Sequence, residues 1–108
     1  MDDVFRALAD VSRRELLDRL HARNGQTLNE LCAGLAKTGA SMTRQAVSKH
    51  LAILAKANLV ATVRRGRAKL HYLNPVPIHE IAERWIGKYE RQRLSALAEL
   101  KRGLETQE

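Results

Sequence analysis

The chain has 108 residues, a formal net charge of +7, a sequence pI near 10.2 and a single cysteine. That length supports one domain, 1–108, with a modest core; a lone cysteine excludes an intramolecular disulfide and suits a reducing cytoplasm. No Asp or Glu lies between Leu31 and His79, a block that holds Lys37, Arg44, Lys49, Lys56, Arg64, Arg65, Arg67 and Lys69, whereas the flanking segments carry eleven cations against twelve acids. The excess charge is therefore central, and it favours a polyanionic partner. The acidic start, Met1 to Arg6, lacks the apolar stretch of a signal peptide, and no apolar run approaches a membrane span. These features read as a soluble, cytoplasmic protein with no membrane partner.

Asp2 and Asp3 precede Val4, Phe5 and Leu8, which predicts a short first helix with acids in its first turn. Asp10 or Ser12 can cap a second helix with Leu16, Leu17 and Leu20 on its apolar face, ended by Asn24-Gly25. Thr27 and Glu30 have capping-box spacing and open a third helix with Leu28, Leu31 and Leu35 inward. A turn at 37–40 leads to the segment 41–54. There Ala46, Val47, Leu51 and Leu54 recur at helical spacing, and Arg44, Gln45, Ser48 and Lys49 form a polar face. Ser41 or Thr43 supplies its cap. This fourth helix runs to about Ala57, and Asn58 falls where a left-handed C-cap is expected.

From Leu59 the period changes to two. Residues 60–64 and 68–73 read as strands joined by Arg65-Gly66-Arg67, a hairpin with a triply basic tip. Asn74-Pro75-Val76-Pro77 punctuates the chain. The segment from Ile78 to about Leu104 reads as one long helix with Ile78, Ile81, Ala82, Trp85, Tyr89, Leu97, Leu100 and Leu104 mostly on one stripe. At about 1.5 Å per residue it would reach about 40 Å, more than one small domain can cover, so a partner subunit is the simplest cover. Gly87 marks a bend or a close contact in it.

The order predicts a mainly α fold with a β-hairpin wing: a winged helix-turn-helix with a long C-terminal dimerisation helix. In its wording the chain resembles the ArsR/SmtB family of small dimeric winged-helix repressors. The matching residues are the run from Phe5 to Arg14, Glu30-Leu31-Cys32 and Gln45 to Leu51, with Ser48, His50 and Leu51 as the strongest piece. Asn58-Leu59-Val60, Arg65-Gly66-Arg67 and Tyr72 to Pro77 continue the resemblance over nearly the whole chain. It implies DNA contacts from Thr43, Arg44, Gln45, Ser48 and His50, and phosphate or minor-groove contacts from Arg64, Arg65 and Arg67; Lys49 and Lys69 extend these two basic sets. It also implies a homodimer built from the first and last helices, through Val4, Phe5, Leu8, Ile81, Trp85, Tyr89, Leu97 and Leu100.

Metal-sensing members carry Glu-Leu-Cys-x-Cys, whereas here the second thiolate position is Gly34. One soft ligand makes no tight thiolate site, and Cys32 reads as a small half-buried hydrophobe. His79 and Glu83 share a face but have no later histidine to complete a site, and with Glu80 they read as capping and solvated residues. His21 and His71 read as ordinary surface or strand residues, and His50 as a packing or backbone-contacting residue. Trp85 and Tyr89 suit a dimer core or, secondarily, the wall of an effector pocket. No catalytic constellation and no cofactor site is evident, so the chain reads as a regulator and not an enzyme. The expectation is a dimeric repressor of double-stranded DNA operators, released by an unknown small-molecule effector or other signal. The alternatives are a metal-responsive repressor with unrecognised ligands, and a winged-helix module for protein or RNA.

Overall fold

The computed structural model describes residues 1–106 and gives, in chain order, α1 (Asp2–Leu8), α2 (Val11–Ala22), α3 (Leu28–Lys37), α4 (Arg44–Lys56), β1 (Val60–Arg65), β2 (Ala68–Leu73), α5 (Val76–Ile81), a π-helical segment (Ala82–Gly87) and α6 (Lys88–Thr106). This is the mostly helical, winged helix-turn-helix order expected from the sequence. Met1–Pro77 forms one compact unit, and the chain from Ile78 onward forms a second.

Local side-chain chemistry decides where the helices begin. Asp10, rather than Ser12, caps α2: its Oδ1 accepts from the N–H groups of Ser12 at 2.8 Å and Arg13 at 3.1 Å. At α3 the capping box is complete, with Glu30 N–H donating to Thr27 Oγ1 and Thr27 N–H donating to Glu30 Oε1, both at 3.2 Å. Thr43, rather than Ser41, caps α4 by accepting from Ala46 N–H at 3.1 Å. That choice places Arg44 and Gln45 in the first turn of α4. Asn58 takes the left-handed conformation (φ 62°) after α4, and Leu59 N–H closes back onto Leu54 O at 2.9 Å.

The core of the first unit is a leucine cluster. Leu16, Leu20, Leu31, Leu35, Leu54, Leu59 and Val47 are fully buried, and truncating one such leucine to Ala typically costs about 2–5 kcal/mol. α1 packs on α2 and α4, and its Val4 and Ala7 belong to this core. Val4 is only 7% exposed, so of the α1 residues expected at a subunit interface Phe5, 46% exposed, and the half-buried Leu8 offer surface.

β1 and β2 pair antiparallel from Val60↔Leu73 to Arg65↔Ala68, leaving a two-residue turn, Gly66-Arg67. Gly66 has φ 62° while Arg67 does not enter the positive region, the pattern of a type II′ hairpin turn that glycine accommodates without strain. The hairpin is fastened at its base to the α2–α3 connection. His71 N–H donates to Gln26 O at 2.8 Å, Gly25 N–H donates to His71 O at 2.8 Å, and Leu73 N–H donates to Asn24 Oδ1 at 2.7 Å. His71 is therefore not a surface residue: it is 5% exposed, with its ring Nδ1 2.9 Å from Gln26 O. Because a carbonyl only accepts, Nδ1 carries the proton.

The C-terminal helix starts two residues earlier than the sequence indicated, at Val76, with Asn74 Oδ1 accepting from Val76 N–H at 3.3 Å. Pro77 sits in the first turn, where a missing N–H costs nothing. The long helix is not uniformly α. Ala82–Gly87 widens into a π-helical segment that ends at Gly87, where a Cβ would lie 3.5 Å from Ala82 O. Tyr89, Leu97, Leu100 and Leu104 share one stripe of α6 and are all exposed, as is Ile86 before them. Ile81 and Trp85 are half-buried, and Arg84 lies 5.3 Å from the Trp85 ring centre.

Candidate nucleic-acid interface

A groove of about 600 Å³ opens between the start of α3, the side of α4 that carries Ser48 and Ala52, and the hairpin. Leu28, Leu51, Ala52 and Ala55 supply apolar lining, and Thr27, Asn29, Ser48 and Thr62 supply short polar groups. Three cations border it, Arg44 from α4 and Arg67 and Lys69 from the hairpin, and among the described residues no carboxylate lines it. Of the sequence-predicted contacts, the structure therefore gathers Arg44, Ser48, Arg67 and Lys69 around one concavity. Gln45 and Lys49 are exposed beyond it on α4, and Thr43 is exposed at the cap.

The hairpin register sorts the remaining basic residues. Opposed residues of an antiparallel pair share a face, so Arg64 and Lys69 stand beside each other on the face that carries Thr62 and His71. Arg65 lies on the other face with Ala68. Like charges directly opposite one another destabilise a hairpin, and a bound polyanion would relieve that repulsion.

Three site residues were not legible in the sequence as contacts. Asn29, in the first turn of α3, accepts a hydrogen bond on Oδ1 from Arg44 Nη1. This holds the Arg44 fork on the α3 side of the groove. Thr62 enters through the alternation of β1, and Thr27 through its cap position. His50 behaves differently from the outward polar residues. It is half-buried at the other edge of α4, and its Nδ1 lies 3.3 Å from Arg13 Nη1. Arg13 also donates from Nε to Ala7 O at 2.8 Å and from Nη2 to Arg6 O at 2.9 Å, satisfying carbonyls at the end of α1.

Two carboxylates near these elements are held below their usual range. The Arg13 backbone N–H lowers Asp10 most, with Ser12 N–H and the Arg13 charge adding to it against a smaller opposing effect of desolvation. For Glu30 the Thr27 backbone N–H is the largest influence, followed by the Arg23 guanidinium, whose Nη2 lies 2.6 Å from Oε2. Cys32 is half-buried. Among the described residues no cluster of three or more His, Cys, Asp or Glu side chains is placed to hold a metal ion, and no helix is long and apolar enough to cross a membrane.

Comparison with known proteins bears directly on this geometry. The helix-turn-helix domain family matches residues 8–63, which span α2, α3, α4 and the start of the hairpin. The chain belongs to this helix-turn-helix family. The uncharacterized HTH-type transcriptional regulator YuzN of Bacillus subtilis (strain 168) is 42% identical over 86 residues, covering 79% of this chain and 94% of YuzN. The transcriptional repressor SdpR of the same organism is 28% identical over 80 residues, covering 74% of this chain and 82% of SdpR. An ArsR-like transcriptional regulator from Rhodococcus sp. RHA1 superposes with a TM-score of 0.69 at 30% identity, over 94% of this chain and 90% of that one. The regulator is thus an ArsR-like winged helix-turn-helix protein, and its function is DNA-binding transcriptional regulation.

Proposed function

We propose that the regulator is a cytoplasmic, homodimeric repressor that binds a short, roughly palindromic operator and leaves it in response to a signal. The observation that carries the reading is the acid-free groove, which sets Arg44 and Ser48 of α4 beside Arg67 and Lys69 of the hairpin. In this arrangement α4 enters the major groove. Gln45 and Arg44 can make bidentate contacts to adenine and guanine edges, while Arg64, Arg65, Arg67 and Lys69 meet phosphates or a narrow minor groove. SdpR, named a transcriptional repressor, supports the direction of regulation. The exposed stripe Tyr89, Leu97, Leu100 and Leu104 supports a second copy of the chain as the partner, with Phe5 and Leu8 of α1 as the further surface that the family resemblance implies. No step of this account requires catalysis or a cofactor.

Fluorescence anisotropy over a salt series tests the reading, using duplexes that the wild-type protein selects from a random pool, with scrambled duplexes and double-stranded RNA as competitors. Gln45→Ala should cost about 1–3 kcal/mol on the selected duplex and relax preference at particular base pairs. Arg67→Ala should weaken selected and scrambled DNA about equally. It should also lower the salt slope by about 1 for each phosphate that is no longer neutralised, counted in each subunit. Equal affinity for RNA and for every duplex would point to a module without an operator. A monomer at micromolar concentration in the ultracentrifuge would remove the dimer from the account.

A further inference from the structure

We propose that Arg13 is a positioning residue for DNA binding: it fixes the His50 ring in the form that presents Nε2–H as a donor to a DNA backbone phosphate. This rests on the DNA-binding reading above. A guanidinium offers only donors, so the 3.3 Å approach of Arg13 Nη1 to His50 Nδ1 makes Nδ1 the acceptor. The proton of the neutral ring then sits on Nε2. Arg13 is not free to give up this arrangement. Its Nε and Nη2 are bonded to Ala7 O and Arg6 O at 2.8 and 2.9 Å, its Nη1 lies 3.9 Å from Asp10 Oδ2, and its side chain is 14% exposed. Among the described residues Nε2 of His50 has no hydrogen bond, so its donor capacity is unspent inside the protein.

The position of His50 in the second turn of α4, with a side chain shorter than that of Arg44 at the helix start, favours a phosphate over a base. At about 100° per residue, His50 lies on the opposite side of the buried Val47, Leu51 and Leu54 stripe from Ser48, Ala52 and Ala55, which line the groove. It is roughly 100–140° from Gln45 and Lys49 at the outward face. A helix seated in a major groove passes the sugar–phosphate walls at such flanks and the base edges at its outward face. Arg13 thus acts through His50, while its bonds to Arg6 and Ala7 also secure the end of α1.

Ring-nitrogen NMR of the DNA-free protein at mildly alkaline pH reads the first half of the proposal. His50 should be predominantly the Nε2–H form in the wild type and a mixture in Arg13→Met. Anisotropy on the selected duplexes reads the second half. His50→Gln keeps an amide donor near the Nε2 position and should bind within about threefold of wild type; His50→Asn, whose amide reaches only the Nδ1 position, should bind at least about tenfold more weakly. Neither variant touches the bonds from Arg13 to α1, so both remain informative if Arg13→Met fails to fold. A wild-type ring carrying its proton on Nδ1, or equal losses in the Gln and Asn variants, would overturn the proposal. Failure of the wild type to select any duplex would instead overturn the DNA-binding reading, with the ring assignment still measured.

Discussion

The Gln26 side chain ties the end of α2 to the connection before α3, and Gln26→Leu tests how much that tie contributes. The side chain is 5% exposed, and its Nε2 donates to Arg19 O at 3.0 Å and to Arg23 O at 2.7 Å. Leucine fills a similar volume but donates nothing. Arg19 O keeps the Arg23 N–H at 3.0 Å, so the Arg23 carbonyl is the group left short. The two Nε2 hydrogen bonds, at about 0.5–1.5 kcal/mol each, give a net loss of about 1–3 kcal/mol; the 3.4 Å bond that Oε1 accepts from the exposed Arg23 Nη2 is long and adds little. For a chain of this size that corresponds to a fall in Tm of about 4–12 °C. The assay is thermal unfolding by circular dichroism at matched protein concentration, since the Tm of any dimer depends on concentration. The backbone pairing of Gln26 with His71 does not involve the side chain, so the His71 amide should stay protected from exchange under native conditions. A variant that melts with the wild type, or one whose hairpin amides exchange freely while the helices stay intact, would refute the reasoning.

The lowered pKa values of Asp10 and Glu30 predict stability that is present above their unfolded values of about 3.8 and 4.5 and is lost as pH falls through the lower folded values. The Asp10→Asn/Glu30→Gln double variant, which cannot titrate at these positions, should show a flatter acid limb in unfolding measured between about pH 5 and pH 3. Gly66→Ala places a side chain at φ 62° in open space, so it should cost about 1–2 kcal/mol by denaturant titration through backbone strain alone. Asn29→Ala releases the Arg44 fork and should reduce preference among duplexes more than overall affinity, as read by competition anisotropy. Leu97→Asp places a charge on the exposed α6 stripe and should shift the sedimenting species to monomer, with helicity retained by circular dichroism.

What was legible in the sequence was what is local. Thr27 and Glu30 are three residues apart, Asp10 reaches only Ser12 and Arg13, and Asn58 and Gly66 needed only their own dihedrals to be recognised. The helix and strand periods reported which leucines face inward, and the acid gap marked the stretch whose cations Arg44, Arg67 and Lys69 border the groove. The contacts that escaped are long-range and polar. His71 meets Gln26 across 45 positions, and Arg13 meets His50 across 37. Nothing in the spacing of those residues marks them as partners, because any polar side chain on a helix or strand edge has a solvated alternative. Arg44 was legible as a cation on a polar face, but its bond to Asn29 depends on how α3 and α4 pack. The π-helical segment was visible only through Gly87, read as a bend or a close contact, since the apolar spacing does not mark a change to i→i+5 bonding.

The central claim is that the groove face of the first unit is the surface that meets DNA. Amide chemical-shift mapping during titration with a selected duplex tests it most directly. The account predicts the largest changes at 27–29, along 43–52 and in the hairpin from Thr62 to Lys69, with the α6 stripe little affected. Changes centred on α6, with the groove residues unmoved, would contradict it.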